Sequence, residues 1–253
     1  MEFSVVIPSK NEEQHIGELL CSIREQTIQP QKLIVADKST DATREIARAY
    51  GATIAEGQDD GKVGKARNTG AQLVQEEIII FLDADTKLRL ATFFEDILIY
   101  VSALDLDIAT CYYHPTQATF VSRIIYACMN MGKRLDSLLK MGFALGGAVI
   151  IIKKDVFTSV GRFREDVKLA EDVLLVREVI KNNYRYGMIP LSIDISSRRF
   201  SNVSCRSLIS SIVGGIGSLI AIYINIPWFK RNYDRFQKWY GETGGSLSKK
   251  NDE

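Results

Sequence analysis

A chain of 253 residues, 46% hydrophobic and 25% charged, can bury one substantial core, so one catalytic-size α/β domain with an appendage is the simplest expectation. Its 32 basic and 31 acidic side chains nearly cancel, which removes the global field that would draw it to nucleic acid. Two histidines are too few for a histidine-rich metal centre, and Cys21, Cys111, Cys128 and Cys205, without zinc-site spacing or a dense disulfide pattern, read as buried thiols in a reducing compartment.

Phe3 to Pro8 is a short apolar strand, and no basic, apolar and small-residue signal-peptide pattern begins the chain, so the catalytic part is expected to face the cytoplasm. Ser9 with Glu12 has the spacing of a capping box, and Ile16, Leu19, Leu20 and Ile23 form the inward stripe of the helix behind it. Leu33 to Ala36 is a second strand ending at Asp37; Lys38 to Asp41 opens a helix closed by Gly51. Thr53 to Ala55 is a third strand, followed by a polar, glycine-bearing stretch and a helix through Ala71 and Val74. Alternation of this kind indicates βαβ units and a mostly parallel sheet.

Ile78 to Leu82 is a fully apolar run that fits a strand buried on both faces, and it leads directly into Asp83, Ala84 and Asp85. Ligands bind at the carboxyl ends of strands in such sheets, and two carboxylates two residues apart can share one hard cation. The plainer reading is that both aspartates only turn the chain.

The second half is less regular. Ile108 to Tyr113 reads as a strand, and Phe120 to Leu139 has helical apolar spacing at Val121, Ile124, Ile125, Cys128, Leu135, Leu138 and Leu139. Gly146 and Gly147 precede the apolar run Ala148 to Ile152 and either let a ligand approach the sheet edge or permit a bulge. Glu171 and Asp172 open a helix bearing Val173, Leu174, Val176, Val179 and Ile180, where acids also serve as dipole partners. From Ser207 to Phe229 there is no formal charge over twenty-three residues, with large apolar residues on one face and small or polar ones on the other. It reads as a membrane span, an in-plane helix or a helix folded onto the domain, with membrane contact favoured by the basic and aromatic residues around it. The organisation expected is a domain over 1–203, a hydrophobic and basic helical tail over 204–240, and a disordered polar end over 241–253.

In order along the chain, VVIPSKNEE, VADKSTDAT, GKARNTGA, FLDADT and GGAVIIIKKDVFTSVGRFRE followed by Glu171 and Asp172 resemble the motifs of family 2 glycosyltransferases of the GT-A fold. The resemblance, over roughly residues 3–200, implies that α/β fold, a mostly parallel sheet with flanking helices, to which the tail adds a C-terminal hydrophobic helical appendage. It also implies inverting transfer of a sugar from a nucleoside diphosphate donor to a hydroxyl acceptor, and the tail adds the expectation that this acceptor is membrane-proximal or carried by a lipid. By the same resemblance Pro8, Asn11, Glu12, Asp37, Arg67 and Asp83 bind the nucleotide sugar. Asp85, with Asp83, holds Mg²⁺ or Mn²⁺, and Asp172 is the base that deprotonates the acceptor. Gly146, Gly147 and Glu171 fall on the acceptor side, while Arg198 and Arg199 either bind the diphosphate or are an ordinary basic pair. Ala36 stands where many relatives have a second aspartate, and the glutamine-x-x-arginine-tryptophan motif of processive synthases is missing, which favours single-sugar transfer. No nucleic-acid partner is expected, homo-oligomerisation is left open, and the expected location is the cytoplasmic face of a membrane, or the cytoplasm if the tail packs on the domain. A sugar nucleotidyltransferase and a non-catalytic nucleotide-sugar-binding or membrane scaffold module are the competing readings.

Overall fold

In a computed structural model of the chain, the alternating apolar runs of the first half become β1 (Phe3–Ser9), α1 (Ile16–Arg24), β2 (Lys32–Asp37), α2 (Thr43–Ala49), β3 (Thr53–Glu56), α3 (Val63–Ala71) and β4 (Ile78–Leu82). The structure describes residues 1–57, 61–140, 142, 147–167 and 170–198. The tail over 204–240, the end over 241–253, Gly146 and Arg199 therefore lie outside the described residues. β1 lies between β2 and β4 and pairs in parallel with both, and β3 adds in parallel to β2. All five residues of β4 are buried, as a strand covered on both faces requires.

Beyond β4 the chain forms β5 (Thr86–Leu88), α4 (Phe93–Ala103), β6 (Ile108–Thr116), α5 (Phe120–Leu139), β7 (Val149–Lys153), α6 (Lys154–Ser159), α7 (Glu171–Lys181) and β8 (Tyr186–Ser196). The sheet order is β3-β2-β1-β4-β7-β6-β8-β5. β7 runs antiparallel to both β4 and β6, and β8 runs parallel to β6 but antiparallel to β5. The sheet is thus parallel through its first four strands and mixed beyond them. Because β6 and β7 are antiparallel neighbours, their connection needs no crossover of the sheet, which leaves α5 free of that task.

Two local expectations are corrected. Ser9 and Glu12 form no capping box: β1 extends through Ser9, whose Oγ donates to Asp37 Oδ1 at 2.6 Å, and α1 starts only at Ile16 with no side-chain cap. A long-range hydrogen bond has won over the local pattern. Of the described cysteines only Cys111 is buried; Cys21 is half-buried and Cys128 exposed. α5 has the expected bounds, and of its seven apolar positions named from the sequence only Ile125 is buried. It buries Ser122, Ile125, Tyr126, Lys133 and Asp136 and turns Phe120, Ile124, Met131, Leu135, Leu138 and Leu139 to the outside.

The core packs against both faces of β4. Phe81 meets Phe157 and Phe163 at centroid distances of 5.4 and 5.1 Å. α3 approaches β1 through Gly70, where an added Cβ would lie 2.5 Å from Val6 Cγ1, so only glycine permits that spacing.

Candidate active site

β4 delivers its two aspartates to the sheet edge and the neighbouring strands hold them there. Asp83 N donates to Ala148 O at 3.0 Å, Thr86 returns two hydrogen bonds to Asp83 O, and Ser196 N donates to Asp85 O at 3.0 Å. The turn is real, and the carboxylates do more than make it. Asp83 and Asp85 line an open cavity of about 220 Å³ together with Pro8, Glu12, Arg198 and three lysines, Lys10, Lys38 and Lys62. The carboxylates and cations of one cavity suit an anionic ligand that brings its own divalent ion. Mg²⁺ or Mn²⁺ fits the donor set: such ions bind through one or two carboxylates and complete their shell with water and phosphate oxygens. Among the described residues no cluster of three or more acids, histidines or cysteines forms a cage of its own.

Arg67 is 2% exposed and ties this edge to the start of α7. Its Nη1 donates to Glu171 Oε1 at 2.7 Å, and its Nη2 donates to Asp83 Oδ1 at 2.8 Å and to Gly147 O at 2.6 Å. The guanidinium also lies 5.3 Å from the Phe163 ring centroid. Burial opposes its charge, but the carboxylates of Asp83, Glu171 and Asp172 outweigh that and raise its pKa above the ordinary arginine value. Asp172 is 8% exposed, and its Oδ1 accepts from Val173 N at 2.9 Å. Burial pushes its carboxyl up to about 6, helped by the charge of Glu171 and opposed by Arg67. A Cβ added to Gly147 would come within 3.2 Å of Asp172 Oδ2, so the glycine keeps the backbone against the carboxylate. One residue on, Ala148 N donates to Tyr113 Oη at 3.0 Å. The Gly147–Ala148 backbone is therefore the joint at which Asp83, Arg67, Tyr113 and Asp172 meet.

Asp37 has a different setting. It is fully buried, with Oδ1 accepting from Ser9 Oγ and Ser39 Oγ and Oδ2 accepting from Ser39 N and Arg44 Nε, at 2.5 to 2.9 Å. Burial raises its pKa, but these donors more than offset that and hold it below the usual carboxylate value. Asn11, at a φ of 56°, spans the same loop: its Oδ1 accepts from Thr40 N and its own N–H donates to Ser39 Oγ. Arg198 Nη2 reaches both carboxylate oxygens of Glu12 at 2.7 and 2.8 Å and lies 3.4 Å from Asp85 Oδ2.

The residues singled out in the sequence thus fall into three groups. Pro8, Glu12, Asp83, Asp85 and Arg198 line the cavity. Arg67, Gly147, Glu171 and Asp172 form a buried polar wall joined to it through Asp83. Asp37 and Asn11 brace the loop after β2. Sequence reasoning passed over Arg44, Tyr113, Lys10 and Lys62. Lys10 lies within one recognised motif and Lys62 just before another, so both carried a signal of charge beside the site; Tyr113 carried none.

The family model "Glycosyl transferase family 2" matches residues 4–139. The chain is 37% identical over 92 residues to 4,4'-diaponeurosporenoate glycosyltransferase of Staphylococcus haemolyticus, covering 34% of this chain and 24% of that protein. It is 40% identical over 87 residues to the enzyme of the same name from Staphylococcus aureus, covering 32% and 23%. The chain therefore spans about a quarter of the length of these curated relatives. Among solved structures, TarS 1-349 of S. aureus in complex with UDP-GlcNAc superposes with a TM-score of 0.65 at 21% identity, over 88% of this chain and 66% of that one. Mannosyltransferase PcManGT from Pyrobaculum calidifontis, in complex with GDP-Man and Mn²⁺, gives 0.67 at 21% identity, over 94% and 69%. These likenesses show a GT-A-type fold.

Proposed function

The chain belongs to glycosyl transferase family 2, and from that premise we propose that it moves one sugar from a nucleoside diphosphate donor to a hydroxyl acceptor with inversion. One observation carries the reading: Arg67 bonds a cavity-lining aspartate and Glu171 at the start of α7, and its charge acts on the adjacent Asp172, so a candidate cation site and a candidate base face one buried guanidinium. Asp85 and Asp83 hold a divalent cation, which when bound supplies positive charge to the departing diphosphate. Lys10, Lys38, Lys62 and Arg198 supply further positive charge to the same cavity. Asp172 accepts the proton of the acceptor hydroxyl, a task suited to a carboxyl whose pKa has been moved towards neutrality. Arg67 is a positioning residue, since its fork is taken up by Asp83, Glu171 and Gly147. Asp37 and Asn11 order the loop that faces the nucleotide, with Pro8 and Glu12 lining the cavity beside it. Gly147 and Glu171 border the acceptor side. The uncharged stretch of the tail supports work at the cytoplasmic face of a membrane on a membrane-proximal acceptor.

Calorimetric titration of UDP and GDP into the parent and Asp85→Asn, each with Mn²⁺ and with EDTA, tests the reading. Parental affinity should strengthen at least about tenfold with Mn²⁺, as expected of a carboxylate-held ion, and Asp85→Asn should lose that gain. Equal parental affinity in both conditions removes the metal from the mechanism. Sugar release from a panel of nucleotide sugars then identifies the donor; its absence with every donor and acceptor overturns the transferase reading.

A further inference from the structure

α5 is amphipathic the wrong way round for a helix that serves only the core. Phe120, Ile124, Met131, Leu135, Leu138 and Leu139 recur at helical spacing along one line and are each 46 to 78% exposed. The opposite line, which faces the domain, includes Ser122, Lys133 and Asp136. This orientation is pinned. Asn130 exchanges hydrogen bonds with the backbone of Tyr113 at 2.8 and 2.9 Å, Lys133 Nζ donates to Cys111 O at 2.5 Å, and Tyr126 Oη donates to Ser196 O at 3.2 Å. Turning the stripe inward would break all of these and bring Lys133 out from over the Tyr113 ring, 3.1 Å from its centroid. A continuous apolar stripe held outward by buried polar pins calls for a partner outside the domain.

The charges beside the stripe choose among partners. Arg123 and Arg134 are exposed along one edge of it, Lys140 follows at the helix end, and the outer face carries no acid, since Asp136 is buried. Among the described residues no helix is long and apolar enough to cross a membrane. We propose that α5 is an in-plane lipid-contact helix, its stripe seated among acyl chains and Arg123 and Arg134 set on the phosphates of an anionic membrane surface. The surface is separate from the uncharged tail, and its lipid binding does not rest on the transferase reading.

Cys128 provides a reporter on the same outer face. In full-length Cys21→Ser/Cys205→Ser protein, a polarity-sensitive fluorophore on Cys128 leaves the buried Cys111 untouched. With vesicles of phosphatidylcholine and phosphatidylglycerol in equal parts, its emission should shift to the blue and be quenched by lipids spin-labelled in the acyl chain. Arg123→Gln/Arg134→Gln should weaken the partition about thirtyfold, corresponding to about 1 kcal/mol per arginine near the surface. Leu135→Glu/Leu138→Glu, at exposed positions, should abolish acyl quenching while leaving the circular dichroism unchanged. Three results overturn the proposal: an emission indifferent to vesicles, an equal response to phosphatidylcholine alone, or a fluorophore already shielded before lipid is added. In the third case, dependence on protein concentration identifies a second copy as the occupant, and independence identifies residues 200–253.

Discussion

Replacing Arg67 with methionine keeps an unbranched side chain but removes three hydrogen bonds and the cation that faces Asp83, Glu171 and Asp172. Removing one partner of a buried charge pair costs about 3–5 kcal/mol, because the remaining charge is left uncompensated. For a domain of this size that corresponds to a fall in Tm of roughly 6–20 °C at about pH 7.5. The pH dependence gives a stricter test. Asp172 is already raised to about 6 with Arg67 in place, so its pKa must rise further in the variant. A folded-state carboxyl held above its unfolded value, about 4, costs nothing below that value and costs most above the folded pKa. The deficit of the variant should therefore shrink between about pH 7.5 and pH 5, by about 1.4 kcal/mol for each unit of added shift that is neutralised. Thermal unfolding of both proteins at the two pH values, at equal ionic strength, measures this directly. A Tm within about 2 °C of the parent at the higher pH, or a deficit that grows on acidification, would refute the view of Arg67 as the tie between the two carboxylate sets. Arg67→Lys should fall between the two, because one ammonium cannot reproduce the fork.

Asp172→Asn should lower kcat by about 10²–10⁴ while leaving nucleoside diphosphate affinity unchanged, and the parent's kcat/KM should be lost as pH falls through about 6, where the base takes up its proton. Steady-state kinetics over pH, with calorimetry of the variant, check both statements; a variant that turns over at the parental rate removes Asp172 from the chemistry. Gly70→Ala should destabilise by about 1–3 kcal/mol in urea unfolding, because its Cβ would meet Val6 Cγ1 at 2.5 Å; a neutral result would mean that α3 re-seats without cost. Arg198→Ala should change stability by less than about 1 kcal/mol, since its pairs are partly solvated, yet weaken diphosphate binding in the presence of Mn²⁺. Unchanged affinity would make it an ordinary surface ion pair.

Much of this arrangement can be read along the chain. β4 announces itself because a run of five apolar residues fits a strand covered on both faces, the two aspartates follow it directly, and α5 shows its full length through periodicity. Periodicity cannot say which way a stripe faces, however, and the inward pins of α5 are single polar residues, Asn130 and Lys133, whose partners lie about twenty positions away. The Ser9–Glu12 pattern misled because a capping box is a four-residue rule, whereas Ser9 bonds to a carboxylate on the next strand. The sequence marks Arg67 as a site residue but not its protein acceptors, which lie 16, 80 and 104 residues away, a convergence that only the sheet order creates. Asp37 similarly carries no mark in the sequence of the four donors that occupy it.

The placement of α5 bears on how this fold can change over evolutionary time. β7 is registered against β4 from Leu82↔Val149 to Ile78↔Lys153, and that ladder, not the path of the intervening chain, sets Asp83 against Ala148. α5 is strung between β6 and β7, which themselves pair at Ile108↔Ile152 and Ala109↔Ile151. The two faces of α5 are therefore under different constraints. Tyr126, Asn130 and Lys133 grip Ser196, Tyr113 and Cys111, next to the backbone that holds both aspartates, whereas drift at Phe120, Ile124, Met131, Leu135, Leu138 and Leu139 alters only what the outer surface touches.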